Sequence, residues 1–534
     1  MYTKHNSASV HGVDGRIIEV EVDIANGLPQ VNIVGLPDPA IRESVERVRS
    51  AVKNCGYVFP LERITVNLAP ADLRKEGTAY DLAIAVGVLT ASGQLQTERF
   101  RDTLIIGELS LDGTIRPVPG VLPMVEEAKK QGISRAFVAP GNAAEASLIG
   151  GLDLTVIAHL RELGDEEAGS PHVDVNDRHV TFAKVFQSDN EGRSSSTDDD
   201  KEIPRHSDQE NNHYDYIEVI GQHHAKRALL TAAAGRHNIL LSGPPGTGKT
   251  MLIRRLPGIL PPLEDEEALE VTKIYSVAGK LTQGAVSLVR ERPFRSPHHT
   301  ISPGGLIGGG SIPKPGEVTL AHRGILFLDE LPEFSRNVLE VLRQPLEDRS
   351  VTIARTRAVF RYPSHFMLAA SMNPCPCGYF GDDSDRQRCG CSPHKIAAYR
   401  TKISGPLLDR IDLQVEVPRP STFLSATAGL SSSQMRDLVM LARERQIARR
   451  TTAGVSWNSE LQGRALHQSA RLKADAELLL QQAYKSLGLS LRAHDRVLKL
   501  ARTISDLQDS NTIEAEHVAE AIQYRSLDRK LELI

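Results

Sequence analysis

At 534 residues the chain is too long for a single hydrophobic core, and three globular units with linkers are the expected division. A hydrophobic content of 40% and a charged content of 24% are those of an ordinary globular protein, which excludes a fibrous or wholly disordered chain. The formal net charge of −4 excludes blanket electrostatic binding to nucleic acid, so any DNA contact falls to local basic patches such as a lined pore.

The N-terminal residues Met1 to Asn6 lack the apolar core of a secretory signal. No run approaches the roughly 18 apolar residues of a membrane span. Five cysteines, with Cys55 isolated, do not make a disulfide framework, and a cytoplasmic protein without a membrane partner is expected. Residues 1–165 alternate strand-like and helix-like stretches. Ile17 to Ile24 has the near-strict alternation of a half-buried strand, and Val31–Val34 and Ile64–Leu68 are further strand candidates. Helical spacing at Ile41, Val45, Val48 and Val52 predicts a helix over Ala40–Cys55, and Asp81–Ala91 a more buried one. A separate α+β domain follows.

Within that domain, Arg74-Lys75-Glu76-Gly77-Thr78-Ala79-Tyr80-Asp81, Gly107–Gly113 and Pro119–Pro123 resemble the proteolytic domain of Lon-type proteases. The resemblance implies an S5 domain 2-like fold. Those proteases use a Ser–Lys dyad, and the match places Ala79 at the serine and Leu122 at the lysine. Without a hydroxyl or a desolvated amine nothing can attack a peptide bond, so a non-catalytic scaffold or nucleic-acid-facing module is expected. Arg74 and Lys75 are expected on a solvated surface.

Residues 166–215 read as a linker. The stretch 188–213 has almost no apolar side chains and cannot bury enough surface to offset the entropy of ordering. An α/β unit is expected over 216–418. Its apolar strand Ile239–Leu241 ends in Gly243-Pro244-Pro245-Gly246-Thr247-Gly248-Lys249-Thr250, the phosphate-cradling loop in its required strand-to-helix setting. Glycines let backbone N–H groups wrap a polyphosphate, Lys249 suits the β/γ-phosphates, and the Thr250 hydroxyl suits Mg²⁺. A second apolar strand, Gly324 to Leu328, ends in Asp329-Glu330. Asp329 suits the magnesium shell and Glu330 can polarise a water for attack on the γ-phosphate. The two motifs together predict ATP hydrolysis.

Between them lies an insertion over 291–318, whose Gly and Pro density argues against a regular helix and suits a moving pore contact. Its adjacent His298 and His299 point in different directions, which favours hydrogen bonding over metal ligation. Two alternating stretches around Arg355-Thr356-Arg357 predict a β-hairpin with a basic tip, either simply solvated or facing a phosphate backbone. A third buried strand, from His365, ends at Asn373. In the loop 374–394, Cys375, Cys377, Cys389 and Cys391 can surround one structural Zn²⁺. Their C-x-C spacing is tighter than the common pattern, and reduced thiols packed in a loop are the alternative. Residues 419–534 are rich in Leu, Ala, Arg and Glu, with helical spacing over Gln434–Arg450, Lys473–Leu487, Ser490–Ser505 and Ile513–Ile522, a helical lid. Arg443, Arg445, Arg449 and Arg450 read as a solvated face, with DNA contact as the alternative.

The order of these motifs resembles AAA+ ATPases. That resemblance implies that the Gly221-Gln222 turn lies against adenine and that Asn373 is the sensor-1 residue. It also implies that Arg410 is the arginine finger offered to a neighbouring subunit and Arg492 the sensor-2 residue. Taken alone, Arg410 reads as an ion pair with Asp409 or Asp412. The stretches Ser296–Thr300, Leu328–Phe334, Met372–Gly378 and Lys402–Asp412 are similar to magnesium-chelatase-like AAA+ proteins, and the Lon-like N-domain points to their ComM/YifB branch. The branch implies a hexameric, ATP-driven ring on single-stranded or branched DNA, promoting branch migration in natural transformation and homologous recombination. The alternative is a chelatase-type or protein-remodelling ATPase that acts on a protein partner.

Overall fold

The first strand, Tyr2–His11 (β1), is one that the hydrophobic pattern does not announce, because its inward positions are largely polar. Thr3, His5 and Ser7 are buried, and the helix Asp81–Ala91 satisfies two of them. Thr3 Oγ1 donates to the Gly87 carbonyl at 3.1 Å, and His5 Nε2 meets Thr90 Oγ1 at 2.9 Å. A strand can bury polar side chains where the facing helix supplies partners. The computed structural model describes residues 1–164, 172–173, 214–281, 287–310, 313–355, 358–381, 388–419, 429–488 and 490–525. The linker expected at 188–213 and the side chains of the hairpin tip at 355–357 lie outside what is described.

Two compact units divide the chain: Met1–Lys201 with Ala268–Val289, and Glu202–Glu267 with Arg290–Ile534. In the first, β1 pairs with Asp14–Ala25 (β2), which carries the expected alternation through fully buried Ile18, Val20 and Val22. Gln30–Val34 (β3), Arg63–Ala69 (β4), Thr103–Ile105 (β5), Arg135–Val138 (β6), Asp153–Val156 (β7) and His172–Val173 (β8) complete an eight-stranded mixed sheet in the order β8-β7-β6-β5-β1-β2-β4-β3. The pair β7/β8 brings two residues of the expected linker into the sheet.

Every residue of the helix Asp81–Ala91 is buried. It presses onto β2 so closely that a Cβ on Gly87 would stand 2.5 Å from Val22 Cγ2, which accounts for a glycine in mid-helix. Ala79 and Leu122 share one apolar cluster with Leu104, Val118 and Val125, so a hydrocarbon core occupies the two Lon dyad positions. Lys75 departs from its expected solvated position. Its side chain is buried with Nζ donating to the Pro70 carbonyl, and burial pulls its pKa down. Arg74 stays half-exposed against Glu76.

The second unit is built on Ile239–Ser242 (β9), Phe294–Arg295 (β10), Ile325–Leu328 (β11), Met367–Met372 (β12) and Leu413–Glu416 (β13). These form an all-parallel sheet in the order β10-β11-β12-β9-β13. Every residue of β9, β11 and β12 is buried, as continuous apolar runs require of strands covered on both faces. The C-terminal helices Ser432–Ala453, Gly463–Ser469, Ala474–Ser486, Leu491–Leu507 and Ala515–Gln523 do not make a core of their own. Val439, Val497 and Leu500 belong to the same cluster as Ile239 and Leu241 of the sheet. In the insertion, Pro303–Ile307 is a short helix where none was expected. Ser302 Oγ caps the Gly305 N–H at 3.0 Å and a proline opens the turn, which outweighs the glycines over five residues.

His5 gives the first unit an acid sensitivity. Burial pushes its imidazole down to about 4 from 6.5. The unfolded chain therefore binds a proton that the native ring refuses, and this contribution is complete above about pH 6.5 and lost progressively as the pH falls toward about 4. Calorimetric melting of the full chain between those limits should show the first unit's transition falling on acidification. His5→Gln should flatten that slope; an unchanged slope would place the acid sensitivity elsewhere.

Candidate active site

Parallel strands deliver the ends of β9, β11 and β12 to one edge of the sheet, where loops gather side chains from distant parts of the chain. The register pairs Ser242 with Met372 and Leu328 with Ala370. Gly243 thus begins its loop beside Asn373, and Asp329 follows its strand beside Ser371.

Gly246 and Gly248 take left-handed φ values of 78° and 87°, and a Cβ on either would meet nothing within 4 Å. The loop is therefore concave and open on that side, as a backbone cradle for an anion has to be. Gly243 is constrained differently, since a Cβ there would lie 2.1 Å from the Val417 carbonyl oxygen. Lys249 begins the helix Lys249–Arg254 and is 8% exposed. Its Nζ donates to the Gly243 and Pro244 carbonyls at 2.7 and 2.9 Å and to Asn373 Oδ1 at 3.3 Å. Burial lowers its pKa, while the Asp329 and Glu330 carboxylates oppose that shift.

Thr250 Oγ1 donates to Asp329 Oδ2 at 2.9 Å. This hydroxyl–carboxylate pair is the hard-oxygen donor set that Mg²⁺ selects, so the residues fit that ion. Ser371 Oγ donates to the other carboxylate oxygen, Asp329 Oδ1, which also accepts the Glu330 N–H at 3.1 Å. Ser371 is a positioning residue that sequence reading missed; its signal is its place two residues before Asn373, on the strand next to Asp329. Glu330 stands at φ 54°, which turns the chain sharply after the strand. Gln222 Nε2 donates to the Pro418 carbonyl at 2.7 Å and to the Thr247 carbonyl at 3.5 Å, so the Gly221-Gln222 turn lies beside the phosphate-loop residues.

Arg410 and Arg492 stand elsewhere. Both line a cavity of about 200 Å³ with Arg349, Arg496 and Lys499, and no residue from 243 to 250 lines it. Arg410 pairs with Glu347 and donates to the Pro406 carbonyl at 2.7 Å. The acids first considered for it are taken by Arg496, whose nitrogens lie 3.4 Å from Asp412 and 3.9 Å from Asp409. Arg492 opens the helix Leu491–Leu507, capped by Ser490, at the cavity wall. The structure thus brings together Lys249, Thr250, Asp329, Glu330 and Asn373 and leaves the two arginines apart from them.

Sγ atoms of Cys375, Cys377, Cys389 and Cys391 lie within 4.8 Å of one another. The pairs 375/377, 375/389 and 377/389 stand 3.3, 3.7 and 3.6 Å apart. This cluster suits a metal ion. Contrary to the expectation that they point apart, His298 and His299 bring their ring centroids to 4.1 Å at a tilt of 34°, and His298 Nδ1 lies 2.9 Å from Thr300 Oγ1, a hydrogen-bonding arrangement. The lid arginines are engaged with partners in the protein. Arg443 lies 4.0 Å over the ring of Trp457, Arg445 pairs with Asp509, Arg449 with Asp506 and Arg450 with Glu264.

Comparison with known proteins agrees with this layout. The family model "Magnesium chelatase, subunit ChlI" matches residues 215–423, "Subunit ChlI of Mg-chelatase" residues 20–142, and the ChlI C-terminal model residues 429–525. The chain is 42% identical over 530 residues to the uncharacterized protein YifB of Escherichia coli, covering 99% of this chain and 97% of that one. It is 43% identical over 521 residues to the uncharacterized protein Rv2897c of Mycobacterium tuberculosis, covering 97% of each. It is 41% identical over 532 residues to the competence protein ComM of Haemophilus influenzae, covering 98% and 97%. The parallel sheet with its phosphate loop fits the AAA+ class. The chain belongs to the ComM/YifB family of magnesium-chelatase-like proteins.

Proposed function

We propose that this protein is a Mg²⁺-dependent AAA+ ATPase that assembles into a hexameric ring in the cytoplasm and moves single-stranded or branched DNA. The carrying observation is the convergence of Lys249, Thr250, Asp329 and Asn373 at the ends of three adjacent strands. ATP enters with its phosphates in the cradle of Gly243–Thr250, and Lys249 exchanges loop carbonyls for β- and γ-phosphate oxygens. Thr250 and Asp329 would hold Mg²⁺, which when bound would supply charge neutralisation for the phosphates. Glu330 accepts the proton of the attacking water as the oxygen–phosphorus bond forms, while Asn373 orients that water or the γ-phosphate. ADP leaves with the bridging oxygen.

Among the described residues no guanidinium joins this cluster, and transferring phosphate charge is commonly stabilised by one. Arg410 and Arg492 are the candidates. Their shared cavity away from the phosphate loop supports a composite site, in which one subunit supplies the cradle and its neighbour the arginines. The insertion 291–318 and the hairpin Ser350–Arg355/Ala358–Pro363 are the proposed pore elements. The competence name of the ComM relative supports a role in natural transformation, with branch migration during homologous recombination as the motor's work. A structural Zn²⁺ on the four cysteines completes the cofactor set. Among the described residues no helix is long and apolar enough to cross a membrane.

Glu330→Gln should retain ATP binding and lower turnover by roughly 10²-fold or more, as loss of a catalytic base does. In wild type, branched or single-stranded DNA should raise turnover several-fold. Turnover indifferent to DNA would keep the ATPase and move the reading to a protein-remodelling ring. Arg410→Ala and Lys249→Ala should each be inactive alone, yet mixing the two before assembly should recover part of the turnover. No recovery in a mixture shown to co-assemble would place Arg410 in its own subunit's site.

A further inference from the structure

The loop 374–394 does more than carry four thiols. Its described parts are 374–381, which leave the sheet after Asn373, and 388–392, which lead into the helix Pro393–Arg400. Arg400 Nε donates to the Pro374 carbonyl at 3.1 Å, and its guanidinium lies 5.2 Å over the ring of Phe380. The helix thus grips Pro374, the residue that opens the loop.

Between these ends the four sulfurs converge. Tetrahedral Zn²⁺ with Zn–S near 2.3 Å puts neighbouring sulfurs about 3.8 Å apart. The three pairs among Cys375, Cys377 and Cys389, at 3.3 to 3.7 Å, come close to that spacing. Four soft thiolates favour zinc over the magnesium of the nucleotide site, and sulfurs all within 4.8 Å enclose a single ion rather than a polynuclear cluster. Cys375 is fully buried, which anchors the knot at the protein side.

The knot also touches the phosphate loop. Gly378, one residue after Cys377, has φ 87° and faces Pro245 so closely that a Cβ would stand 2.7 Å from Pro245 Cδ. The same virtual Cβ lies 3.9 Å from Asn373 Cγ. Gly378 N–H donates to the Cys375 carbonyl at 3.0 Å, which ties this contact to a metal ligand. Gly378 therefore lies against both the cradle at Pro245 and the side chain of Asn373.

Resting on the zinc and ATPase readings above, we infer that the four-cysteine knot is a positioning device for hydrolysis: by closing the loop, Zn²⁺ holds Gly378 against Pro245 and fixes Asn373 toward Lys249 and the reacting phosphate. Gly378 and the cysteines touch no substrate. Their contribution is to hold the geometry that turnover requires, and removing the metal releases both contacts at once.

The test uses the full-length chain, with metal content measured by mass spectrometry beside ATP turnover and thermal melting. Wild type should hold one zinc per chain, and Cys389→Ser should lose it; zinc-free wild type, or zinc retained in Cys389→Ser, overturns the zinc reading and this inference with it. Gly378→Val leaves all four thiols in place and wedges the knot from Pro245. It should keep its zinc and a cooperative melting transition, leave the KM for ATP within about twofold, and lose roughly tenfold in kcat. Wild-type kcat in zinc-loaded Gly378→Val overturns the positioning role while leaving zinc and the ATPase intact. Loss of zinc from Gly378→Val also overturns it, because the contact would then be holding the metal.

Discussion

Everything at the active edge depends on one strand being in the middle. β12 lies between β9 and β11, so the phosphate loop and the Asp329–Glu330 pair each have it as a neighbour. A strand displaced by one position would leave Lys249 without Asn373 and Asp329 without Ser371. Because all three strands are buried on both faces, their register is set by the core and not by the loops. The site inherits that rigidity. Its only mobile requirement is that Lys249 trade carbonyl partners for phosphate.

At the opposite edge of the sheet, where its strands begin, the second unit neutralises charge by burying cations against aromatic and acidic partners. Trp457 is the single tryptophan, 1% exposed, and Arg443, Arg292 and Arg236 approach its ring to 4.0, 5.7 and 5.8 Å. Arg292 also pairs with Glu267 at 3.0 Å, and His365 with Glu460 at 3.2 Å. Desolvation alone would be costly for each cation, and the shared ring and carboxylates offset it. The network joins the lid helices to the sheet, which is why sheet and lid share one hydrophobic cluster. A lid fixed in this way cannot bring Arg492 over its own phosphate loop without breaking these contacts.

Much of this was legible in the sequence, and the reasons differ by element. The strands at Ile239, Ile325 and Met367 were readable because burial on both faces leaves an uninterrupted apolar run, and the phosphate loop because its glycines answer to backbone geometry. β1 was not, since its inward positions are polar and Thr3 and His5 are paired with a helix some eighty residues away. Lys75 misled for the same kind of reason: its ammonium finds a carbonyl five residues back, which no periodicity reveals. Ser302 and Pro303 carried a capping signal that glycine density concealed. The placement of Arg410 and Arg492 in one cavity is a tertiary fact, set by how the helix Leu491–Leu507 packs.

The central claim is that Thr250 and Asp329 form a magnesium site for a nucleotide held by Lys249. Calorimetric titration of a non-hydrolysable ATP analogue into wild type and Asp329→Asn, with and without Mg²⁺, tests it directly. The account predicts that Mg²⁺ tightens binding to wild type at least tenfold and that Asp329→Asn abolishes this gain while keeping the magnesium-free affinity. Equal affinity with and without Mg²⁺ in wild type would contradict it.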